Sequence, residues 1–412
     1  MTFAVLSFLL CIAGIPLAFV SLYLALVGGL GARRPKAHVS AEPPHFKFDV
    51  IVPAHNESLG IASTVQSLLS MDYPAALRQV WVIADNCSDD TAERARVSGA
   101  NVSARHDTQK RGKGYALEYA FGESLARGFA DAVVVVDADT AVSPNLLHAF
   151  AARLDQGAMA LQASYGVRNP EASWRTRLMQ LALALFNDVR SLGRERLGGT
   201  AGLRGNGMCF TQSVLRRVPH TSFSLVEDLE YGIRLGREGV GVHYVGEAQV
   251  WGEMVSTESA SRSQRHRWEA GRRALAKAQA WPLLSESIRR RNALLFDLGM
   301  DLAIPPLSRV VVAVTLGLGL SWVTARWAGE NLVAGALLTS ALVMFGLSAA
   351  GLALYVACGW WRSQTGLRGL MALAWAPVFM MWKLVLHFSK PGARNSEWVR
   401  TRREQESASH DR

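Results

Sequence analysis

Hydrophobic positions along the chain fall into three regimes. From Phe3 to Leu30 the run "FAVLSFLLCIAGIPLAFVSLYLALVGGL" carries no charge, and about 20 apolar residues suffice to cross a bilayer as a helix. A membrane anchor over residues 1–31 is predicted. The run is too long for a secretory leader and lacks a basic start, so it reads as retained. Between Lys36 and about Ala280 short β-branched runs alternate with amphipathic stretches. "FDVIVPA", "VWVIAD" and "AVVVVDAD" have strand character, and helices are predicted to begin near Glu57, Asp89, Lys113 and Pro144. That alternation predicts an α/β domain over 36–280 with a mostly parallel sheet covered on both faces. The last third returns to apolar runs at 303–323 and 332–358, with a weaker one at 367–388 that contains Pro377 and Lys383.

Charge refines this picture. "ARRPK" follows the first apolar run directly, and positive charge marks the cytoplasmic flank of a span. The α/β domain is therefore expected in the cytoplasm, beneath an inner or plasma membrane. If 367–388 spanned, the basic "ARNSEWVRTRR" would lie outside, so 303–388 is read as two spans and a re-entrant or interfacial helix. Residues 389–412 then form a basic cytoplasmic tail. "ESIRRRN" gives an interfacial amphipathic region at 281–302 a means to meet anionic headgroups. Topology thus accounts for most of the net charge of +10, and no nucleic-acid partner is needed. Cys11, Cys87, Cys209 and Cys358 show no pair spacing, which excludes a disulfide framework or a cysteine zinc site.

The candidate chemistry collects at strand ends, where parallel sheets bind ligands. "VPAHNES", "ADNCSDDT" and "DADT" deliver Glu57, Asp85, Asp137 and Asp139 to one edge. In extended backbone Asp137 and Asp139 share a side and would face one divalent cation. Loop acids also cap helices, and Asp89, Asp90 and Ser143 are placed for that. In "QKRGKGYAL", Gly112 and Gly114 allow backbone to approach a phosphate and Lys113 adds charge at a helix start, although a solvated basic turn has the same composition. "LRGNGMCF" sets glycines around Asn206. Glu227 and Asp228 open a helix, a position that the helix dipole alone would favour. In "SRSQRHRW", Gln264, Arg267 and Trp268 fall at i, i+3 and i+4 on one helix face. A guanidinium matches phosphate oxygens and an indole lies flat on a sugar ring; a basic helix at a membrane surface is the plainer alternative.

Taken in order, "VPAHNE", "ADN", "DAD", "GNGMCF", "VED" and "QRHRW" resemble the membrane-bound family 2 glycosyltransferases. That group includes cellulose, hyaluronan and poly-N-acetylglucosamine synthases and ceramide glucosyltransferase. The resemblance implies a GT-A fold and inverting transfer from a nucleotide sugar, most often a UDP-sugar, with Mg2+ or Mn2+. It assigns the strand end at Pro53 and Glu57, with Asp85, to the nucleoside, Asp137 to nucleotide and metal, and Asp139 to metal. Asp228 matches the general base. Gln264, Arg267 and Trp268 match a QxxRW signature, with Arg267 on the diphosphate and Gln264 and Trp268 toward the acceptor. Asn206, Gly207 and Glu227 fall on the acceptor side, and Lys113 is expected at the donor phosphates. Cellulose synthases carry a different string where this chain has "GNGMCF", so acceptor specificity does not transfer. A growing glycan in exopolysaccharide or envelope polysaccharide synthesis is the expected acceptor, and a membrane lipid the alternative. Processive relatives have more helices or a small partner subunit. A non-catalytic sugar-nucleotide scaffold would have lost one of Asp139, Asp228 or Arg267, and all three are present.

Overall fold

The computed structural model describes residues 2–34, 43–254, 258–327 and 332–377, and side chains of the helix that begins at Glu258 from Trp268 onward. Its centre is one sheet of eight strands: β1 (Phe48–Ala54), β2 (Arg78–Asp85), β3 (Asn101–Arg105), β4 (Ala132–Val135), β5 (Thr140–Val142), β6 (Ala160–Val167), β7 (Met208–Thr211) and β8 (Val242–Gly252). The order is β3-β2-β1-β4-β7-β6-β8-β5. Neighbours from β3 to β4 run parallel, as do β6 and β8; β7 is antiparallel to both its neighbours and β5 to β8.

The continuous apolar run of β1 follows from its central place. Val50 and Val52 enter one core with Ile61, Val65 and Phe150, while Ile51 enters the other with Leu117, Phe121 and Phe210. Alternate residues of a strand point to opposite faces, so both layers draw on the same seven residues. Pro53 is tolerated inside this strand for a local reason. Pairing with β4 ends at Ile51, whose carbonyl takes the Val136 N–H, so the missing N–H of Pro53 points where β4 has already left.

Three of the expected helices begin close to the expected places, at Thr91, Lys113 and Leu146, while the first begins at Ile61 rather than Glu57. Gly60 and Ile61 both donate to the Glu57 carbonyl, closing a turn that keeps Glu57 on the loop. The helices Thr2–Gly31, Leu307–Trp327 and Leu332–Ser363 are long and apolar enough to cross a membrane. The second starts four residues later than the sequence pattern indicates, because Pro305 and Pro306 separate it from the helix Ala293–Ala303. The three pack closely: Leu24, Val310, Val314 and Leu352 fill the space between them, and a Cβ on Gly28 would lie 2.9 Å from Tyr355.

The helix Glu258–Arg290 runs on across position 280, and Asn292 caps its successor by accepting the Leu295 N–H at 3.1 Å. Of the weaker apolar run, the helix Gly366–Leu373 and the residues to 377 are described; positions from 378 and the 389–412 tail lie outside the described residues.

Candidate active site

The ends of β1, β2 and β3 are laced together by asparagines in left-handed backbone, Asn56 at φ 55° and Asn86 at φ 50°. The Asn56 side chain accepts the Ser88 N–H at 2.7 Å and that of Asn86 accepts the Asp107 N–H at 2.9 Å. Short amide side chains tolerate this conformation and satisfy loop donors from it. His55 Nδ1 bonds the Asp85 carbonyl at 2.8 Å, and the Glu57 N–H donates to Thr91 Oγ1 at 2.8 Å. Asp85 is buried, with Arg105 at 2.5 Å, so this carboxylate is already ion-paired at the strand end.

The next strand end differs from the sequence expectation. β4 stops at Val135, and residues 137–140 form a turn closed by the Thr140 N–H on the Asp137 carbonyl at 3.2 Å, not an extended segment. Asn206, fully buried, causes this: its Oδ1 accepts the Asp137 N–H at 3.1 Å while its Nδ2 donates to Thr140 Oγ1 at 2.8 Å. Ala138 still points into the core, and Asp137 and Asp139 both remain part-exposed on the opposite side. Gly207 follows at φ 69°, with space for a Cβ closed off by Val250 at 2.8 Å. Asn206 and Gly207 thus shape the chamber from beneath it.

Lys113 reaches across the chamber from the first residue of its helix. Its ammonium donates to Asp137 at 2.5 Å and to the Gly205 carbonyl at 2.6 Å, and lies 3.8 Å from Glu227. Burial opposes its charge, but Asp137 and Glu227 outweigh burial and raise its proton affinity above that of an ordinary lysine. Gly114 lets this helix start tuck under the loop before Glu227, since a Cβ there would meet the Ser222 carbonyl; Tyr115 then stacks on Phe223 with centroids 4.0 Å apart.

Glu227 and Asp228 are the first residues of the helix Glu227–Arg237, and the preceding Val226 offers no side-chain cap. Burial pushes the Glu227 carboxyl up to about 7, with Lys113 pulling it down and Asp228 adding to the rise. Burial also raises Asp228, against the Leu229 N–H and the charges of Lys113 and Arg204. Two acids with raised proton affinity beside a cleft have the make-up of proton-transfer groups rather than helix caps. Gly271 brings the long helix against Val226, where a Cβ would lie 2.8 Å away, and Trp268 stands one turn earlier, part-exposed. Gln264 and Arg267 lie on the same helix, and their side chains are outside the described residues.

Sequence reasoning missed Tyr165. It stands on β6 within the field of Asp137, Asp139 and Asp228; burial first, then Asp137 and Asp139, raise its phenol well above the usual range. A Cβ on Gly252 would lie 2.9 Å from its hydroxyl. Its only sequence signal is a tyrosine near the end of an apolar run. Among the described residues no third His, Cys, Asp or Glu joins the aspartates to make a set of three metal ligands. Mg2+ is commonly held by one or two carboxylates and completed by substrate phosphates, so Asp137 and Asp139 fit such an ion alongside a diphosphate.

Comparison with known proteins gives the family and the fold. Residues 43–271 match the family described as glycosyltransferase like family 2. The β-monoglucosyldiacylglycerol synthase of Synechocystis sp. is 31% identical over 238 residues, covering 55% of this chain and 48% of that relative. The probable glycosyltransferase YdaM of Bacillus subtilis is 25% identical over 268 residues, 61% of this chain and 60% of that one. The chain thus spans about half to three fifths of the length of these relatives. The mannosyltransferase PcManGT from Pyrobaculum calidifontis, solved with GDP-Man and Mn2+, is similar in fold with a TM-score of 0.51 at 18% identity, covering 85% of this chain and 97% of that chain.

Proposed function

The chain belongs to the glycosyltransferase like family 2, and from that premise we propose that it moves a sugar, with inversion, from a nucleotide sugar to a lipid acceptor delivered by the membrane. The observation that carries the transfer is the chamber itself: Asp137, Asp139, Lys113, Glu227 and Asp228 converge at the ends of β1 and β4, beside Asn206. Displacing a nucleoside diphosphate requires its negative charge to be met. Lys113, raised in proton affinity, stays cationic at that point, and the resemblance to the QxxRW signature assigns Arg267 to the same diphosphate, which a planar donor pair would suit. Asp137 and Asp139 would hold Mg2+ or Mn2+, and such an ion would supply positive charge to the leaving diphosphate.

The acceptor hydroxyl must lose a proton as it attacks. Asp228 takes that role, with burial raising its proton affinity above that of an ordinary carboxylate and Glu227 beside it. In-line attack inverts the anomeric centre, so an α-linked donor yields a β-glycoside. Asn206 orients the turn that carries both aspartates.

A lipid acceptor is favoured over a growing glycan by the packing of the apolar helices. Leu24, Leu352 and Phe345 fill the space between them, and Gly317 accepts Phe345 so closely that a Cβ would clash, so a polymer passing between them would have to part a closed core. The name of the Synechocystis relative points the same way. Arg33 and Arg34 after the first span favour a cytoplasmic chamber facing the inner leaflet, at a cell membrane crossed more than once. Incubating the full chain in detergent with a panel of radiolabelled nucleotide sugars and membrane lipid extract tests this reading. Label is expected in the organic phase as glycolipid; label only in a water-soluble polymer would favour exopolysaccharide synthesis, with or without a partner subunit.

A further inference from the structure

Between the chamber and the membrane helices lies a buried cluster that the transfer chemistry does not use. Arg190, Arg194, Arg204 and Arg272 gather around the ring of Phe186 and two carboxylates, Asp297 and Asp301. Arg194 is bidentate on Asp297 at 2.9 and 2.7 Å and also lies 2.9 Å from Asp301, while Arg190 lies 2.9 Å from Asp301. Arg272 reaches the same carboxylate at 3.4 Å. Arg204 has no carboxylate at ion-pair distance among the described residues. Its Nη2 donates to Ser191 Oγ and the Ala201 carbonyl, both at 3.0 Å, and its buried Nε has no partner.

The charges do not balance: among the described residues four guanidiniums have two carboxylates within ion-pair distance, and Asp228 meets Arg204 only through its field. Burying an ion without a counter-ion is unfavourable even after relaxation, and at Arg204, which is 8% exposed, burial and the other three guanidiniums all oppose the charge while Asp301 favours it. Native structures retain such an ion where a ligand of opposite charge completes it. Position narrows the ligand. Arg204 immediately precedes Gly205, whose carbonyl holds Lys113 and whose Cβ would lie 3.5 Å from Asp228, and the charge of Arg204 acts on the proposed base through space. On its other side are the helix Ala293–Ala303, through Asp297 and Asp301, and the last apolar helix, whose Tyr355 hydroxyl bonds the Leu185 carbonyl at 3.1 Å next to Phe186. An anion seated here would touch both the membrane side and the acceptor side.

We propose that this arginine cluster seats the phosphate of a phosphate-bearing lipid, so that the acceptor or its headgroup is anionic. The proposal rests on the lipid-acceptor reading and narrows it. A phosphate presents oxygens that match the fork of a guanidinium, and its charge offsets the excess of the cluster. Three of the arginines also lie over the ring of Phe186, whose negative face offsets part of their charge.

The test measures binding, not transfer, and so stands apart from whether glycolipid is made. The full chain in neutral detergent micelles is titrated with phosphatidic acid, with diacylglycerol of the same acyl chains, and with inorganic phosphate. Arg204→Met, similar in length and uncharged, is compared with the native chain; UDP binding by calorimetry shows that the donor side is intact. Phosphatidic acid is expected to bind at least tenfold more tightly than diacylglycerol, and Arg204→Met to lose that margin while binding UDP normally. Equal binding of the two lipids, or an unchanged margin in Arg204→Met, would overturn the proposal. Inorganic phosphate binding as tightly as phosphatidic acid would overturn its lipid part. If Arg204→Met does not fold, Ser191→Ala removes one anchor of the same guanidinium and should lower the margin; no change there would also count against the seat.

Discussion

The Lys113 ammonium stands 2.5 Å from Asp137 and 3.8 Å from Glu227, so one cation ties the turn after β4 to the acid pair that opens the Glu227–Arg237 helix. Its charge lowers the proton affinity of Glu227 and of Asp228 alike. Protonation on the two sides of the chamber is therefore linked through a single residue.

Lys113→Met should weaken donor binding by about tenfold or more, the scale of one lost charge-assisted hydrogen bond. It should also move the acidic limb of the rate profile to higher pH, because removing the cation raises both carboxyl groups further. Lys113→Arg should leave that limb near its native place. Calorimetry with UDP and a pH series of nucleotide release check both; an unmoved limb in Lys113→Met would mean that Lys113 does not govern the acid pair.

Turnover should depend on Mg2+ or Mn2+, and Asp139→Asn should weaken UDP binding in the presence of Mn2+ much more than in its absence. The comparison of binding with and without metal separates a metal ligand from a general loss of structure. Full turnover in excess EDTA would contradict this assignment.

Asp301→Asn should destabilise the fold by about 3–5 kcal/mol, because it leaves Arg190, Arg194 and Arg272 short of their shared counter-charge. Burial alone would raise the Asp301 carboxyl, but those arginines hold it well below the usual carboxylate range. A native pKa below the unfolded value stabilises fully above about pH 4 and is lost as pH falls through the native pKa. Thermal unfolding in detergent from pH 7 downward should therefore show the native chain approaching the variant only at the acid end.

Much of the chamber was legible because parallel strands write themselves as β-branched runs and bring the residues at their carboxyl ends to one edge. Asp137 and Asp139 are read that way, whereas the Glu227–Asp228 pair stands out as two acids opening a helix within the ordered series of motifs. What stayed hidden depends on contacts between distant segments. The turn at residues 137–140 is imposed by Asn206, 69 positions from Asp137, so the extended reading of "DAD" had no local cue against it. Lys113 was marked by its glycines as a phosphate contact, whereas its present partners are carboxylates, supplied by the pairing of β4 with β1 and by the later acidic helix. Nothing in "RSLGRER" or "LRGNG" marks Arg190, Arg194 and Arg204, which lie buried beside Asp297 and Asp301, about a hundred residues away. Asp85 was read as a nucleoside ligand with no sign that Arg105 already pairs it.

The most direct test of the proposed transfer compares Asp228→Asn with Glu227→Gln and the native chain, measuring UDP binding by calorimetry and nucleotide release at saturating donor and lipid acceptor. Asp228→Asn is expected to bind UDP as the native chain does while turnover falls by about 100-fold to 10,000-fold, the scale of general base catalysis. Glu227→Gln should lose far less turnover. Native turnover in Asp228→Asn, or a loss confined to Glu227→Gln, would contradict the assignment of the base and with it the orientation of donor and acceptor in the chamber.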